Sequence, residues 1–137
     1  MWRLIIALVL VMHGAGHVMG IFPVFGLWTV EGQSSRSWLL SGILGDTAAS
    51  WLSVLLWVAA LIGFIGAGLG IMGWLVPYAW WRSWAITAAV LSLLGLVLYW
   101  NAFYSLGSKL SALVVDIAVL VALAGLNWPS DDFLGAP

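Results

Sequence analysis

The sequence predicts an all-α fold in which four transmembrane helices form one up-down-up-down bundle. Hydrophobic residues make up 64% of the chain and charged residues only 7%. In a soluble domain, by contrast, roughly a quarter of the residues are charged. Apolar runs of about 20 residues, the length that spans a bilayer, recur along the chain. The lipid bilayer is therefore the predicted partner of most of the surface.

The predicted spans cover residues 4–20, 47–75, 84–104 and 109–126, within a single transmembrane domain of residues 1–137. Pro23 and the polar run EGQSSRS end the first span. In the long connection that follows, SWLLSGILGD is apolar enough to lie in the membrane interface as a short helix. The second span follows Asp46, the predicted N-cap, and ends at Pro77.

The remaining links are short, and this predicts the order of the bundle. PYAWWRSW joins the second and third spans and has the aromatic and cationic character of a headgroup-level belt. SLGS joins the third and fourth spans. Short links make consecutive helices antiparallel neighbours.

Glycines at helical spacing are predicted to let these spans approach one another closely, because lipid provides no hydrophobic drive between helices. They lie on the second span and at the end of the first: Gly63, Gly66, Gly70 and Gly73, and Gly16 and Gly20.

The N-terminal run MWRLIIALVLVM resembles a signal peptide. No small-residue cleavage site precedes a polar region, so we expect the first span to be retained. Positive charges tie across the bundle, with Arg3 and Arg82 on the side of the termini and Arg36 and Lys109 on the other. Arg3 adjoins the first span, which usually sets the orientation. This favours cytoplasmic termini in a bacterial inner membrane.

Two further features of the composition exclude classes of function. The chain has no cysteine, which excludes disulfides, thiolate metal sites and thiol redox chemistry. Its net charge is −1, so nucleic acid is not an expected partner.

The histidine, amide and charged side chains inside the predicted spans, or at the start of one, are His13, His17, Asn101, Lys109 and Asp116. An ionisable group at bilayer depth costs at least ~2.5 kcal/mol on insertion scales, so it usually faces inward and has a partner. At ~1.5 Å of rise per residue, His13 and Asp116 lie at the same depth, ~10 Å from the side opposite the termini, which we term the far side. Asn101 matches His17 in the same way.

The faces of the helices agree with these depths. His13 and His17 are four residues apart and share one face, and Lys109 and Asp116 share another. If the first and fourth spans touch, His13, His17 and Asp116 form one polar cluster in the far half of the bundle, with Asn101 and Lys109 near its opening.

Several chemistries suit such a cluster. Two histidines one turn apart can bind one metal ion with a carboxylate completing the set, so His13, His17 and Asp116 are candidate metal ligands. A single histidine could instead ligate haem or chlorophyll, since the run GAG between the histidines leaves room for a macrocycle. A third alternative is a hydrogen-bonded His–Asp pair that only ties two helices together. Gly14 replaces the glutamate of the metalloprotease HExxH motif, so we expect no enzyme of that class.

The chain resembles a group of small four-span bacterial membrane proteins that carry an HGxxH motif in the first span. The segments that carry the resemblance are HGAGHVMGIFPVFGL, the glycine-rich second span, the WW turn and LVVDIAVLVAL. It covers most of the chain, and residues 13–17 are its most specific part. Members often have an acidic and a basic residue after the third-span tryptophan, whereas Asn101, Ala102 and Phe103 follow Trp100 here. The topology is also similar to that of DoxX-like proteins. The resemblance implies the four-span fold and no particular activity.

The sequence leaves two main hypotheses for function. The first is a small integral membrane protein with a polar or ligand site among the histidines and Asp116. The second is an accessory or structural subunit of a larger membrane complex, ligating haem, chlorophyll or a metal through histidine. An enzyme or transporter is less favoured, because four short spans show no inverted repeat or pair of broken helices.

Overall fold

A computed structural model describes residues 1–135, and all regular secondary structure in that range is helical. Over these residues the α-helices are α1 (Trp2–Gly16), α2 (Val18–Phe25), α3 (Leu40–Leu44), α4 (Asp46–Ile71), α5 (Trp81–Leu98), α6 (Leu106–Leu120) and α7 (Asp131–Leu134). The 3-10 turns Tyr78–Trp80 and Trp100–Ala102 flank α5, and the π-helical turn Val121–Gly125 continues α6.

Four helical segments are long and apolar enough to cross a membrane. They are the first span Trp2–Phe25, formed by α1 and α2, the second span Asp46–Ile71, the third span Tyr78–Leu98 and the fourth span Leu106–Gly125. The mean hydropathy of these segments lies between 1.6 and 2.4. The predicted all-α class is confirmed, as is the presence of four helices of spanning length.

The first span is longer than predicted, because Pro23 lies inside α2 instead of ending the helix. Proline has no N–H, so it leaves the carbonyl of Met19 without its helical hydrogen bond. The side chain of Gln33 donates to that carbonyl at 3.1 Å and compensates for the loss. The helix ends at Phe25, and the next residue, Gly26, adopts a left-handed conformation with φ of 64°.

The second and third spans end earlier than predicted. After Ile71, Gly73 turns the chain with φ of 73°, and the N–H of Trp74 donates back to the carbonyl of Leu69 at 2.9 Å. The third span leaves the α-helix at Tyr99, whose buried hydroxyl donates to the carbonyl of Ala49 at 2.6 Å.

The connection between the first and second spans contains the short helix that the sequence predicts, α3. The predicted N-cap role of Asp46 is wrong. Gly45 is the N-cap of α4, and Asp46 is the first helical residue. Its exposed carboxylate lies 3.0 Å from Nε of Arg36.

The second span is the centre of the bundle, with α1 packed along one side and α5 along the other. Its buried residues Phe64, Ala67 and Ile71 meet small or aliphatic residues of both neighbours. The fourth span packs on α5. The ring of Trp2, at the start of α1, stacks on that of Phe133 in α7 with centroids 5.5 Å apart. Both ends of the described chain therefore lie at the same end of the bundle.

Glycines allow the close approach of α1 and α4. A Cβ added at Gly14 would lie 2.9 Å from Cβ of Phe64, and one at Gly68 would lie 2.6 Å from Cγ2 of Val11. Gly63 approaches Ala88 in the same way, so this part of the predicted packing is confirmed. The prediction is wrong for Gly16 and Gly73, because nothing lies within 4 Å of an added Cβ at either position.

Candidate functional site

The site is built on a contact between the first and fourth spans. Nε2 of His13 lies 2.8 Å from Oδ1 of Asp116, although the two residues are 103 positions apart in sequence. The side chain of Asp116 is fully buried, and that of His13 is 10% exposed. The contact predicted from the matching depths of these residues is therefore confirmed.

Ser92 of the third span joins this pair to His17. Its hydroxyl lies 2.5 Å from Oδ2 of Asp116 and 2.7 Å from Nε2 of His17. Nδ1 of His17 faces the carbonyls of His13 at 3.0 Å and Gly14 at 3.3 Å. A continuous chain of hydrogen bonds, which we term the His–Ser–Asp network, thus runs from His17 through Ser92 and Asp116 to His13.

The geometry of the His–Ser–Asp network determines where most of its hydrogens lie. Carbonyl oxygens only accept, so Nδ1 of His17 carries a hydrogen and donates. The hydroxyl of Ser92 makes two hydrogen bonds but can donate only one of them. The donor of the other is either protonated Asp116 or protonated His17. In both arrangements Nε2 of His13 donates to Asp116. With His13 as the neutral imidazole, the network has no net charge.

Aromatic rings enclose the buried end of the network. The ring of His17 stacks on Phe64 at 5.6 Å and meets the edge of Phe103 at 6.3 Å. Trp57 lies behind them, fully buried between Gly20 and Gly95, which have no side chain to displace it. These apolar surroundings separate the network from water, so each hydrogen bond in it is strengthened and each missing one is costly.

A groove lies on the other side of the two histidines, between the first and fourth spans. It has a volume of about 710 Å³. His13, His17 and Gly16 line it from the first span, and Ser108 and Ser111 are among the residues that line it from the fourth. The groove therefore connects the His–Ser–Asp network with the exposed surface of the bundle.

Asn101 and Lys109, predicted near the opening of the cluster, make other contacts. Asn101 is exposed on the turn that follows the third span. Its backbone carbonyl accepts from the backbone N–H of Ser34 at 2.8 Å. Nζ of Lys109 lies over the ring of Trp100, 5.2 Å from its centroid. The depth estimate for Asn101 assumed a helix to Tyr104, whereas the α-helix ends at Leu98.

Sequence reasoning missed Ser92, although it connects His17 to Asp116. A single serine in an apolar helix is common in membrane proteins, where it often packs against another helix. Ser53 illustrates the difficulty, because its hydroxyl is equally buried but has no hydrogen-bond partner among the described residues. With the third span predicted to reach residue 104, Ser92 lay deeper than His17 and Asp116, so the predicted depths did not point to it.

Replacing these two serines separates the network from general packing. We expect Ser92→Ala to lower the free energy of unfolding by about 1–3 kcal/mol, because it leaves buried groups on His17 and Asp116 unpaired. Ser53→Ala removes a hydroxyl that has no partner and should be neutral or stabilising. Reversible unfolding in bicelles measures both, and equal losses for the two variants would contradict the proposed network.

His13, His17 and Asp116 also lie close enough together to be candidate ligands of one metal ion. One ligand atom from each lies within 4.8 Å of the others. The hydrogen bond from Nδ1 of His17 to the backbone would orient its Nε2 as metal-binding histidines are commonly oriented. A metal ion bound through Nε2 of both histidines would displace the hydrogen bonds of these atoms to Ser92 and Asp116.

Comparison with known proteins found no matching protein-family model, curated protein or solved structure.

Proposed function

We propose that this protein spans a membrane with four helices and binds a small lipid-soluble molecule in the groove that opens onto His13 and His17. The observation that carries the proposal is the groove itself. Its volume of about 710 Å³ lies within the ~300–1,000 Å³ of small-molecule sites. It is lined largely by apolar side chains and ends at a few convergent polar groups, as such sites commonly do.

Labelling with a small apolar aryl diazirine tests this proposal. In nanodiscs of phosphatidylcholine, we expect the light-activated carbene to label His17 and Ala112, which line the groove but are buried. Gly16→Leu should abolish that label, because the new side chain enters the groove without meeting a neighbour at its Cβ.

Gly42→Leu is the matched control, since an added Cβ on α3 is equally free and lies outside the groove. Mass spectrometry of the labelled peptides gives the readout. If the label on His17 and Ala112 persists in Gly16→Leu, the probe reaches these residues by another route, and the proposed ligand site would be contradicted.

The membrane topology follows from the same proposal. We expect the termini to be cytoplasmic in a bacterial inner membrane, with the histidines nearer the opposite side. Reporter fusions after residues 33 and 107 should then report one side, and fusions after residues 79 and 137 the other. A shared side for the fusions at 33 and 137 would contradict the up-down-up-down order.

A divalent metal site is the second candidate, favoured by the convergence of His13, His17 and Asp116. Such an ion would keep an open coordination position toward the groove. Cobalt(II) added to metal-free protein should then give the visible absorption of a tetrahedral site, and Asp116→Asn should weaken it. An unchanged spectrum would leave these residues as a hydrogen-bonded network alone.

A role as an accessory subunit is compatible with either candidate. The relationship to four-span proteins with an HGxxH motif, or to DoxX-like proteins, stays a prediction that rests on residues 13–17 and on topology.

A further inference from the structure

Several polar side chains that line the groove can accept a further hydrogen bond but cannot donate one. Nε2 of His13 donates to Asp116, and in a neutral imidazole the other ring nitrogen, Nδ1, is then a lone-pair acceptor. Among residues 1–135, no hydrogen bond reaches this Nδ1, although the side chain is nine-tenths buried and lines the groove. His13 therefore presents an unpaired acceptor to whatever occupies the groove.

The serines at the start of the fourth span have the same character. The hydroxyl of Ser105 donates to Ser108 at 3.1 Å, and that of Ser108 donates to the carbonyl of Ser105 at 2.8 Å. Ser111 donates to the carbonyl of Ser108 at 3.0 Å. Their hydrogens are used inside the helix, so Ser105 and Ser111 can only accept. Oγ of Ser105 already accepts from the N–H of Ser108 at 3.0 Å, which leaves it one lone pair. Tyr104, half exposed at the rim, is the one lining hydroxyl left free to donate.

The remaining residues that line the groove are mainly apolar, and the groove opens toward the outer face of the bundle. Val9 and Met12 are 51% and 70% exposed on the outer face of α1, where the bilayer would lie. An apolar chain could leave the groove between the first and fourth spans and continue into lipid.

From this geometry we infer that the groove takes an uncharged single-chain amphiphile with a hydroxyl-bearing head, of which a monoacylglycerol is the simplest kind. The head supplies the hydrogens that His13, Ser105 and Ser111 lack, and the acyl chain follows the apolar lining. A charged head is disfavoured, because none of the residues that line the groove is an aspartate, glutamate, lysine or arginine that could pair with it. A transmembrane helix of another protein fits less well, because its backbone N–H groups are already used within the helix.

This inference rests on the proposed function and adds the class of ligand. It is tested on the full chain in phosphatidylcholine nanodiscs with two probes that share one diazirine-bearing acyl chain. One is the 1-monoacylglycerol, which has two hydroxyls, and the other is the methyl ester, which has none. We expect at least tenfold stronger photolabelling of the groove by the monoacylglycerol.

Three variants complete the design. Gly16→Leu should block the monoacylglycerol label, and Gly42→Leu should leave it unchanged. Ser111→Ala should reduce it severalfold, and its exposed position makes misfolding no explanation for the loss.

The outcomes separate the two levels of the proposal. Equal labelling by both probes, still blocked by Gly16→Leu, would overturn the hydroxyl head and leave the groove as a ligand site. Labelling that Gly16→Leu does not change, or no labelling of the groove by either probe, would overturn both.

Discussion

Asp116→Leu should cost the protein about 2–4 kcal/mol of unfolding free energy, because it removes two hydrogen bonds and leaves Nε2 of His13 unpaired. His13→Leu should cost less, since Asp116 keeps its bond to Ser92. The two replacements share one contact, so the double variant should be milder than the sum of the singles. We expect an interaction term of at least about 0.5 kcal/mol.

A double-mutant cycle in bicelles gives this term directly. The matched control pairs Asp116→Leu with Tyr99→Phe, which removes the hydrogen bond to the carbonyl of Ala49 and shares no partner with Asp116. That pair should be additive within about 0.5 kcal/mol. Strict additivity of His13 and Asp116 would mean that their hydrogen bond contributes nothing, and the His–Ser–Asp network would lose its central contact.

The contact between His13 and Asp116 was predictable because the constant rise of an α-helix converts a position in the sequence into a depth along the helix. A residue in an uninterrupted transmembrane helix has a depth fixed by its distance from the end of the helix. The first span ends at Phe25, beyond the predicted residue 20, and the fourth begins at Leu106, before the predicted residue 109. Both depths therefore shift in the same direction, and the match between the two residues survives. An ionisable group in lipid also needs a partner at its own depth. The four spans were predictable from the length and apolar composition of four segments.

The errors arose where tertiary contacts override a local rule. Pro23 did not end the first helix, because Gln33 from the following connection pairs with the carbonyl that proline leaves free. Asn101 lost its predicted depth because the helix ends at Leu98. The outcome at Pro23 depends on a residue from another part of the chain, and the spacing within one helix does not contain that information.

Glycines show the same limit within a single motif. Gly14 and Gly16 are two positions apart on α1, and the sequence suggested that Gly16 would pack against a neighbour. The structure places Gly14 against Phe64 and Gly16 at the groove. The face of α1 that meets α4 is set by the whole bundle, so small residues alone do not identify it.

Alanine at these two positions should therefore have opposite consequences. In Gly14→Ala, the new methyl group would lie 2.9 Å from Cβ of Phe64 and 3.2 Å from the carbonyl oxygen of Leu61. The carbonyl belongs to the backbone and cannot turn away, so α1 and α4 must separate. We expect a loss of about 1–3 kcal/mol, the usual cost of overpacking a close contact.

Gly16→Ala adds the same methyl group where nothing lies within 4 Å. Because alanine favours the helix over glycine by up to about 1 kcal/mol, this variant should be as stable as the parent or more stable. Gly68→Ala, facing Val11 from the opposite helix, should behave like Gly14→Ala. Unfolding in bicelles compares all three. A loss at Gly16 equal to that at Gly14 would mean that a neighbour covers Gly16. The groove, and with it the route to His13 and His17, would then be closed.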